Sequence, residues 1–203
     1  SDGTEDGTVL VKDINRNEES SLPRDLTYFK DELYFTADDG IHGRQLWKTD
    51  GSITEMVTDH FTGGTPIGQN SGVIAFNNHL YFEADDGSGR ALWKSNGSSS
   101  GSSLIFDAYP NSDSHSTIDN LFISGNKLFF SSSDPVYATE LYATDGTPAG
   151  TSLVKDINTR TGSSIHAITV DLVDLKGQLY FNADDGSNGK EIWTTDGTEQ
   201  GTY

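Results

Sequence analysis

Carboxylates are the side chains of this sequence best placed to do chemistry. Asp and Glu number 31 against 13 Lys and Arg, for a net charge of −18. Six of them form a recurring pair before glycine, at Asp38-Asp39, Asp85-Asp86 and Asp184-Asp185. Oxygen-rich acidic loops suit Ca²⁺, which takes six to eight oxygen ligands. The same letters also make hairpins, because Asp bonds its own backbone two residues on and Gly accepts positive φ without steric cost. Neither the EF-hand spacing nor the Gly-Gly-x-Gly-x-Asp calcium repeat is present. Hairpin chemistry is therefore the first expectation for these turns and a Ca²⁺ site the second. Another acidic row, Asp13, Asp59, Asp107 and Asp156, follows an apolar stretch each time. Its expected job is to bond backbone N–H groups of the adjoining loop. The alternative is an inward ring of four carboxylates that favours a cation.

The remaining chemically capable residues form no reactive set. Trp47, Trp93, Tyr142 and Trp193 share one repeat position. They are expected to pack between repeats, with an exposed sugar-binding row as the alternative. His42, His60, His79, His115 and His166 share no repeat position and show no local zinc-ligand spacing. The serines between Ser98 and Ser103 lie outside any Gly-x-Ser-x-Gly elbow. With no convergent acid–base set, the expectation is a protein that is not an enzyme.

The elements that must carry these residues repeat every 46 to 51 residues. Leu46-Trp47-Lys48-Thr49-Asp50-Gly51-Ser52 returns as Leu92-Trp93-Lys94-Ser95-Asn96-Gly97-Ser98, as Leu141-Tyr142-Ala143-Thr144-Asp145-Gly146-Thr147 and as Ile192-Trp193-Thr194-Thr195-Asp196-Gly197-Thr198. Ahead of it stand Leu33-Tyr34-Phe35, Leu80-Tyr81-Phe82, Leu128-Phe129-Phe130 and Leu179-Tyr180-Phe181. In the third copy the acidic pair degenerates to Ser133-Asp134-Pro135. Behind each Asp-Gly or Asn-Gly comes Leu10-Val11-Lys12-Asp13-Ile14, Met56-Val57-Thr58-Asp59, Leu104-Ile105-Phe106-Asp107 or Leu153-Val154-Lys155-Asp156-Ile157.

Each unit reads as four short strands. In the first, Val9–Ile14 is apolar and β-branched and suits a buried strand. Leu26–Phe29 and Leu33–Asp38 follow, the latter with Leu33 and Phe35 on one face and Tyr34 on the other. Gln45–Thr49 is the fourth. No helical periodicity of useful length appears. Four antiparallel strands in about 48 residues, repeated, describe a β-propeller blade. The division expected is 1–48, 49–94, 95–143 and 144–194, with 195–203 beginning a further repeat. Ser1–Thr8 and Thr195–Thr202 are the same segment, so the phrase occurs five times for four blades. A piece of a larger propeller is the expectation, ahead of a closed four-bladed ring.

Composition sets outer limits. Hydrophobic residues make up 33%, low for one large core but workable for thin stacked blades. Cysteine is absent, which excludes a disulfide framework and thiolate metal ligation. No apolar run is long enough to span a bilayer, so direct membrane insertion by a helix is not expected. The strong negative charge disfavours nucleic acid and anionic membrane surfaces as partners.

The phrases Leu-Trp-x-Thr-Asp-Gly-Ser/Thr, Leu-Val-Lys-Asp-Ile and Leu-Tyr-Phe-x-Ala-Asp-Asp-Gly resemble the ELWxxDGT repeat family of large bacterial proteins. The resemblance covers the whole chain and is most degraded in the third unit. It implies a secreted or cell-surface, propeller-like module carried among further repeats or domains, with no catalytic residues to carry over. The expected function is a non-catalytic interaction or structural module that holds a protein or glycan partner. A calcium-stabilised, adhesin-like scaffold is the alternative, and the propeller domain of a secreted enzyme is a second alternative. No cofactor is required beyond that Ca²⁺.

Overall fold

A computed structural model describes residues 1–17, 19–61, 66–68, 72–110, 117–134, 136–159 and 168–203. His115, His166 and Pro135 lie outside the described residues. Among the described residues there is no helix, and every strand pairing is antiparallel.

The strands form four meanders. Blade 1 comprises β1 (Arg24–Phe29), β2 (Glu32–Asp38), β3 (Arg44–Thr49) and β4 (Thr54–Met56). Blade 2 comprises β5 (Ile74–Phe76), β6 (His79–Asp85), β7 (Arg90–Ser95) and β8 (Ser102–Phe106). Blade 3 comprises β9 (Ile118–Ser124), β10 (Lys127–Asp134), β11 (Ala138–Thr144) and β12 (Ser152–Lys155). Blade 4 has β13 (Ile168–Leu175), β14 (Gln178–Asp184) and β15 (Lys190–Thr195). In each sheet the strands lie in chain order. The first strands of successive blades touch, β1 to β5, β5 to β9 and β9 to β13. They form the inner edge of a stack of blades, and the last strands lie outermost. This is the propeller architecture expected from the repeat.

Two local rules shape each meander. The turn between the first two strands is a two-residue hairpin with φ positive at both positions in Lys30-Asp31 (50° and 63°), Asn77-Asn78 (44° and 62°) and Lys176-Gly177 (57° and 79°). That geometry matches the right-handed twist of the flanking strands. Period-two alternation then sorts side chains onto two faces. Tyr34 and Leu46 leave one face of blade 1 to meet Leu80, Phe82 and Ala84 of blade 2. Tyr81 and Leu92 of blade 2 meet Leu128, Phe130 and Tyr142 of blade 3. Phe129 and Leu141 of blade 3 meet Leu179, Phe181 and Ala183 of blade 4. The core is therefore a series of similar blade-to-blade layers rather than one central mass.

The structure corrects the blade boundaries. The Leu-Val-Lys-Asp-Ile stretch pairs with the strand that precedes it, as β12 pairs with the Leu141-Tyr142 strand β11. It closes a blade instead of opening one. The sheets consequently span 24–56, 74–106, 118–155 and 168–195, offset by one strand from the division 1–48, 49–94, 95–143 and 144–194. Val9–Ile14 is correspondingly not a strand, and Leu10 is 80% exposed. The reason is that no Leu-Trp strand stands before it in these 203 residues. Blade 4 has three strands, with Tyr203 bridging to Thr194 on the outer edge of β15.

Candidate functional site

The acidic pairs stand at equivalent hairpins between the second and third strands, closed by the pairs Asp38↔Arg44, Asp85↔Arg90 and Asp184↔Lys190. The first carboxylate bonds its own turn in each. Asp38 Oδ1 accepts from Gly40 N–H at 2.8 Å, Asp85 Oδ1 from Gly87 N–H at 2.8 Å and Asp184 Oδ1 from Gly186 N–H at 2.7 Å. The second also serves its loop. Asp39 Oδ1 accepts from the N–H groups of Ile41 and His42, and its Oδ2 lies 2.7 Å from His42 Nδ1. Asp86 Oδ1 accepts from Ser88 N–H at 3.0 Å, and Asp185 Oδ1 accepts from Ser187 and Asn188 N–H. Partial burial pushes the Asp39 carboxyl up, but the bonds from His42 and Ile41 outweigh it and hold the group below its ordinary value. Ca²⁺ needs six to eight oxygens gathered at one point. Among the described residues no three of His, Asp and Glu gather in that way.

A second turn carries the recurring Asp-Gly or Asn-Gly between the third and fourth strands. Its carbonyls face the preceding blade. Tyr34 Oη of blade 1 lies 3.5 Å from Gly97 O of blade 2, and Lys30 Nζ donates to Asn96 O at 3.2 Å. At the next layer Tyr81 Oη and Lys94 Nζ of blade 2 reach Gly146 O of blade 3, at 3.4 and 3.0 Å. At the third layer Phe129 replaces the tyrosine, and Lys127 Nζ donates to Gly197 O at 2.9 Å. Gly97 and Gly146 have φ of 89° and 97°, and an added Cβ at either would strike the tyrosine hydroxyl. The phrase that announces the repeat is thus a clasp between blades.

The outer acidic row does not line the inner edge. Asp13, Asp59, Asp107 and Asp156 follow the outermost stretch of each unit, so a central ring of carboxylates is overturned by the strand order. Asp107 Oδ1 accepts from Tyr109 N–H at 2.8 Å. Asp156 Oδ1 is buried without a hydrogen-bond partner, and Asp13 and Asp59 are exposed. The aromatic position faces the preceding blade. Trp47 is 8% and Tyr142 4% exposed, while Trp93 and Trp193 are half-buried against their layers. Trp47 Nε1 donates to Ala37 O at 3.2 Å, whereas Trp93 Nε1 is buried without a partner. Lys155 Nζ lies over the Trp193 ring at 5.9 Å.

The inner edge carries polar residues that the sequence patterns did not single out. The first strands bulge at Asp25 and Asn120, both with φ of 59°. Thr36 Oγ1 donates to Asp25 Oδ2 at 2.8 Å, Asn120 Nδ2 to Ser131 Oγ at 2.9 Å and Asn182 Nδ2 to Asp171 Oδ2 at 3.2 Å. Arg44 Nη1 donates to Thr36 Oγ1 and Leu22 O. Glu83 stands at the Thr36 position of blade 2, held by Arg90 at 2.8 Å and by Ile118 N–H at 3.3 Å. Burial pushes its carboxyl up, with Arg90 opposing. The available signal was a residue tolerant of positive φ (Asp, Gly or Asn) eight positions before each Leu-Tyr/Phe-Phe phrase, at Asp25, Gly72 and Asn120.

Fold and geometry together define an all-β protein of propeller-type, four-stranded antiparallel blades. No protein-family model and no curated protein matches the chain. Among solved structures it is similar to TolB from Acinetobacter baumannii, with 11% identity, a TM-score of 0.47 and coverage of 82% of this chain and 38% of that one. It is also similar to an alpha-L-arabinofuranosidase from Clostridium thermocellum ATCC 27405, with 13% identity, a TM-score of 0.41 and coverage of 88% and 69%. An endo-arabinase from Bacteroides thetaiotaomicron VPI-5482 matches with 15% identity, a TM-score of 0.39 and coverage of 91% and 81%. The chain spans little more than a third of the length of TolB. At these identities the likeness does not extend to activity.

Proposed function

We propose that this chain is a non-catalytic interaction module of a bacterial secreted or cell-surface protein, holding a protein or glycan partner on the loops at one side of the blade stack. The carrying observation is the contrast between a constant frame and variable tips. The β2–β3 hairpin and its equivalents close on the same acidic turn in blades 1, 2 and 4, yet their tips read Ile41-His42, Ser88 and Ser187-Asn188, and blade 3 has Val136-Tyr137. Ile41 is 77% and Val136 67% exposed. Equivalent hairpins of stacked blades emerge on one side, so the tips form a single edge of unlike chemistry on a rigid support. Loops of this kind on a regular scaffold are where binding residues concentrate. The bacterial surface location rests on the ELWxxDGT resemblance.

A glycan array together with surface-display pull-downs tests the proposal. A ligand is expected whose binding is lost in an Ile41→Ser/Tyr137→Ser variant that melts like the parent. Binding indifferent to all four tips, or turnover of a glycosidic substrate, would defeat it.

A further inference from the structure

The sequence sets a carboxylate or a side-chain amide directly before glycine in eight Asp-Gly and two Asn-Gly pairs. Such pairs can cyclise. The glycine nitrogen, once it has lost its proton, attacks Cγ of the residue before it, and glycine has no Cβ to block the approach. Asparagine is the better electrophile, because an ionised carboxylate resists attack. Bonds from the Thr147 and Thr198 hydroxyls, then from the N–H groups of the same residues, keep the Asp145 and Asp196 carboxyls below their ordinary value. The pairs to compare are therefore Asn96-Gly97 and Asn188-Gly189.

The fold occupies the glycine nitrogen in nine of the ten pairs. In the turns between the third and fourth strands, the N–H groups of Gly51, Gly97, Gly146 and Gly197 donate to the hydroxyls of Thr49, Ser95, Thr144 and Thr195, at 3.1, 3.1, 2.9 and 2.8 Å. In the acidic hairpins, Gly40, Gly87 and Gly186 donate to the first carboxylate of the pair. Gly3 and Gly7 donate to the hydroxyls of Ser1 and Thr4. Asn96 is held further. Its Oδ1 accepts from Ser98 N–H at 2.9 Å and from Ser98 Oγ at 2.7 Å, and its backbone carbonyl accepts from Lys30. Gly97 is buried against the Tyr34 hydroxyl. Freeing Gly97 N requires blades 1 and 2 to part locally.

Asn188-Gly189 is the exception. Both residues are exposed, and Gly189 N–H has no hydrogen-bond partner among the described residues. This openness belongs to the hairpin rather than to the place of blade 4 in the chain. Blade 1 has His42 and Gly43 at the same positions, where His42 is exposed and Gly43 N–H is likewise unbonded with blade 2 beside it. The Asn188 side chain is tied only by Nδ2 to Asp185 Oδ2, at 2.7 Å. At an exposed site water replaces such a bond at little net cost.

We propose that Asn188 is a site of spontaneous deamidation and that the blade-to-blade clasp protects Asn96. Gly189 N gives its proton to hydroxide and forms a bond to Asn188 Cγ. The Cγ–Nδ2 bond breaks, and Nδ2 takes a proton from water and leaves as ammonia. Water then adds to one carbonyl of the succinimide and opens it to an aspartyl or an isoaspartyl residue. The product places a new negative charge at one of the variable hairpin tips, and the isoaspartyl form also adds a carbon to the backbone there. The assignment does not depend on what those tips bind.

The test is peptide mapping by mass spectrometry of the folded protein held in mildly alkaline buffer, with enzymatic isoaspartyl methylation as a second readout. Asn188 should convert at least about tenfold faster than Asn96, since Gly97 N reacts only after local opening. In urea the two should convert at similar rates, because both are Asn-Gly. Asn188→Gln should remove the isoaspartyl signal, as glutamine cyclises far more slowly. Ser95→Ala, which deletes the acceptor of Gly97 N–H, should speed conversion of Asn96 in the folded protein. Equal rates at the two sites in the folded protein, Asn96 converting first, or no isoaspartyl product at position 188 would each overturn the proposal. A folded Ser95→Ala protein with Asn96 unchanged would overturn the protective role of the clasp.

Discussion

Truncating one repeat position in four contexts measures the blade-to-blade layers directly. Leu46, Leu92, Leu141 and Ile192 are equivalent by register, facing Thr36, Glu83, Ser131 and Asn182. The first three sit inside layers at 0%, 0% and 1% exposure, and the fourth is open at 81%. Leu→Ala at a fully buried site costs about 2–5 kcal/mol, the lost transfer energy plus the cavity left behind. Ile192→Ala at an open site should stay within about 0.5 kcal/mol. For a chain of this size about 1 kcal/mol moves the midpoint by roughly 2–4 °C, so Leu46→Ala should lower Tm by about 4–20 °C and Ile192→Ala by less than about 2 °C. Urea and thermal melts followed by tryptophan fluorescence read the series. A cost for Ile192→Ala comparable with Leu46→Ala would refute the reasoning, because it would mean that blade 4 is covered within one molecule. A cost for Leu46→Ala below about 1 kcal/mol would refute the layer itself.

Trp47→Ala should cost about 3–5 kcal/mol, as expected for a buried aromatic, and more than Trp193→Ala, since Trp193 is half-buried; paired urea melts check the order. Millimolar Ca²⁺ or a chelator should leave Tm unchanged, because the paired carboxylates bond their own turns; a clear upward shift with Ca²⁺ would establish a metal site instead. The Thr147 and Thr198 hydroxyls, then the N–H groups of the same residues, hold the Asp145 and Asp196 carboxyls below their ordinary value of 3.8. A lowered folded pKa stabilises above the unfolded value and is lost as pH falls through the folded one, so Thr147→Val/Thr198→Val should flatten the loss of Tm below about pH 4. Glu83 has the opposite sign, since burial raises it and its stabilisation fades as pH rises through the folded value. The Tm difference between Glu83→Gln and the parent should therefore grow from pH 4.5 to pH 7, and a constant difference would exclude a raised carboxyl.

The sequence by itself determined the repeat, the absence of helix among the described residues and the alternation that places Leu33 and Phe35 on one face and Tyr34 on the other. Each depends on neighbours within a few residues, through strand periodicity and turn chemistry. The acidic pairs were legible as turns for the same reason, because an Asp carboxylate reaches the N–H two residues on without help from the rest of the chain. Tertiary structure decided what depends on partners distant in sequence. The Leu-Val-Lys-Asp-Ile stretch looks equally apolar at residues 9–14 and 152–157, yet only the second pairs with a neighbouring strand, the one that carries Leu141-Tyr142. Ile192 and Leu46 are the same letter class at the same repeat position, and only a following blade separates an exposed side chain from a buried one. The Asp-Gly phrase gave no sign that its carbonyls clasp the preceding blade, because Tyr34 and Gly97 meet across 63 residues. The bulges at Asp25 and Asn120 escaped notice because positive φ there is imposed by pairing to the second strand, and the local letters are ordinary loop letters. A repeat fixes what each blade is, while the contacts between blades fix which copies are complete.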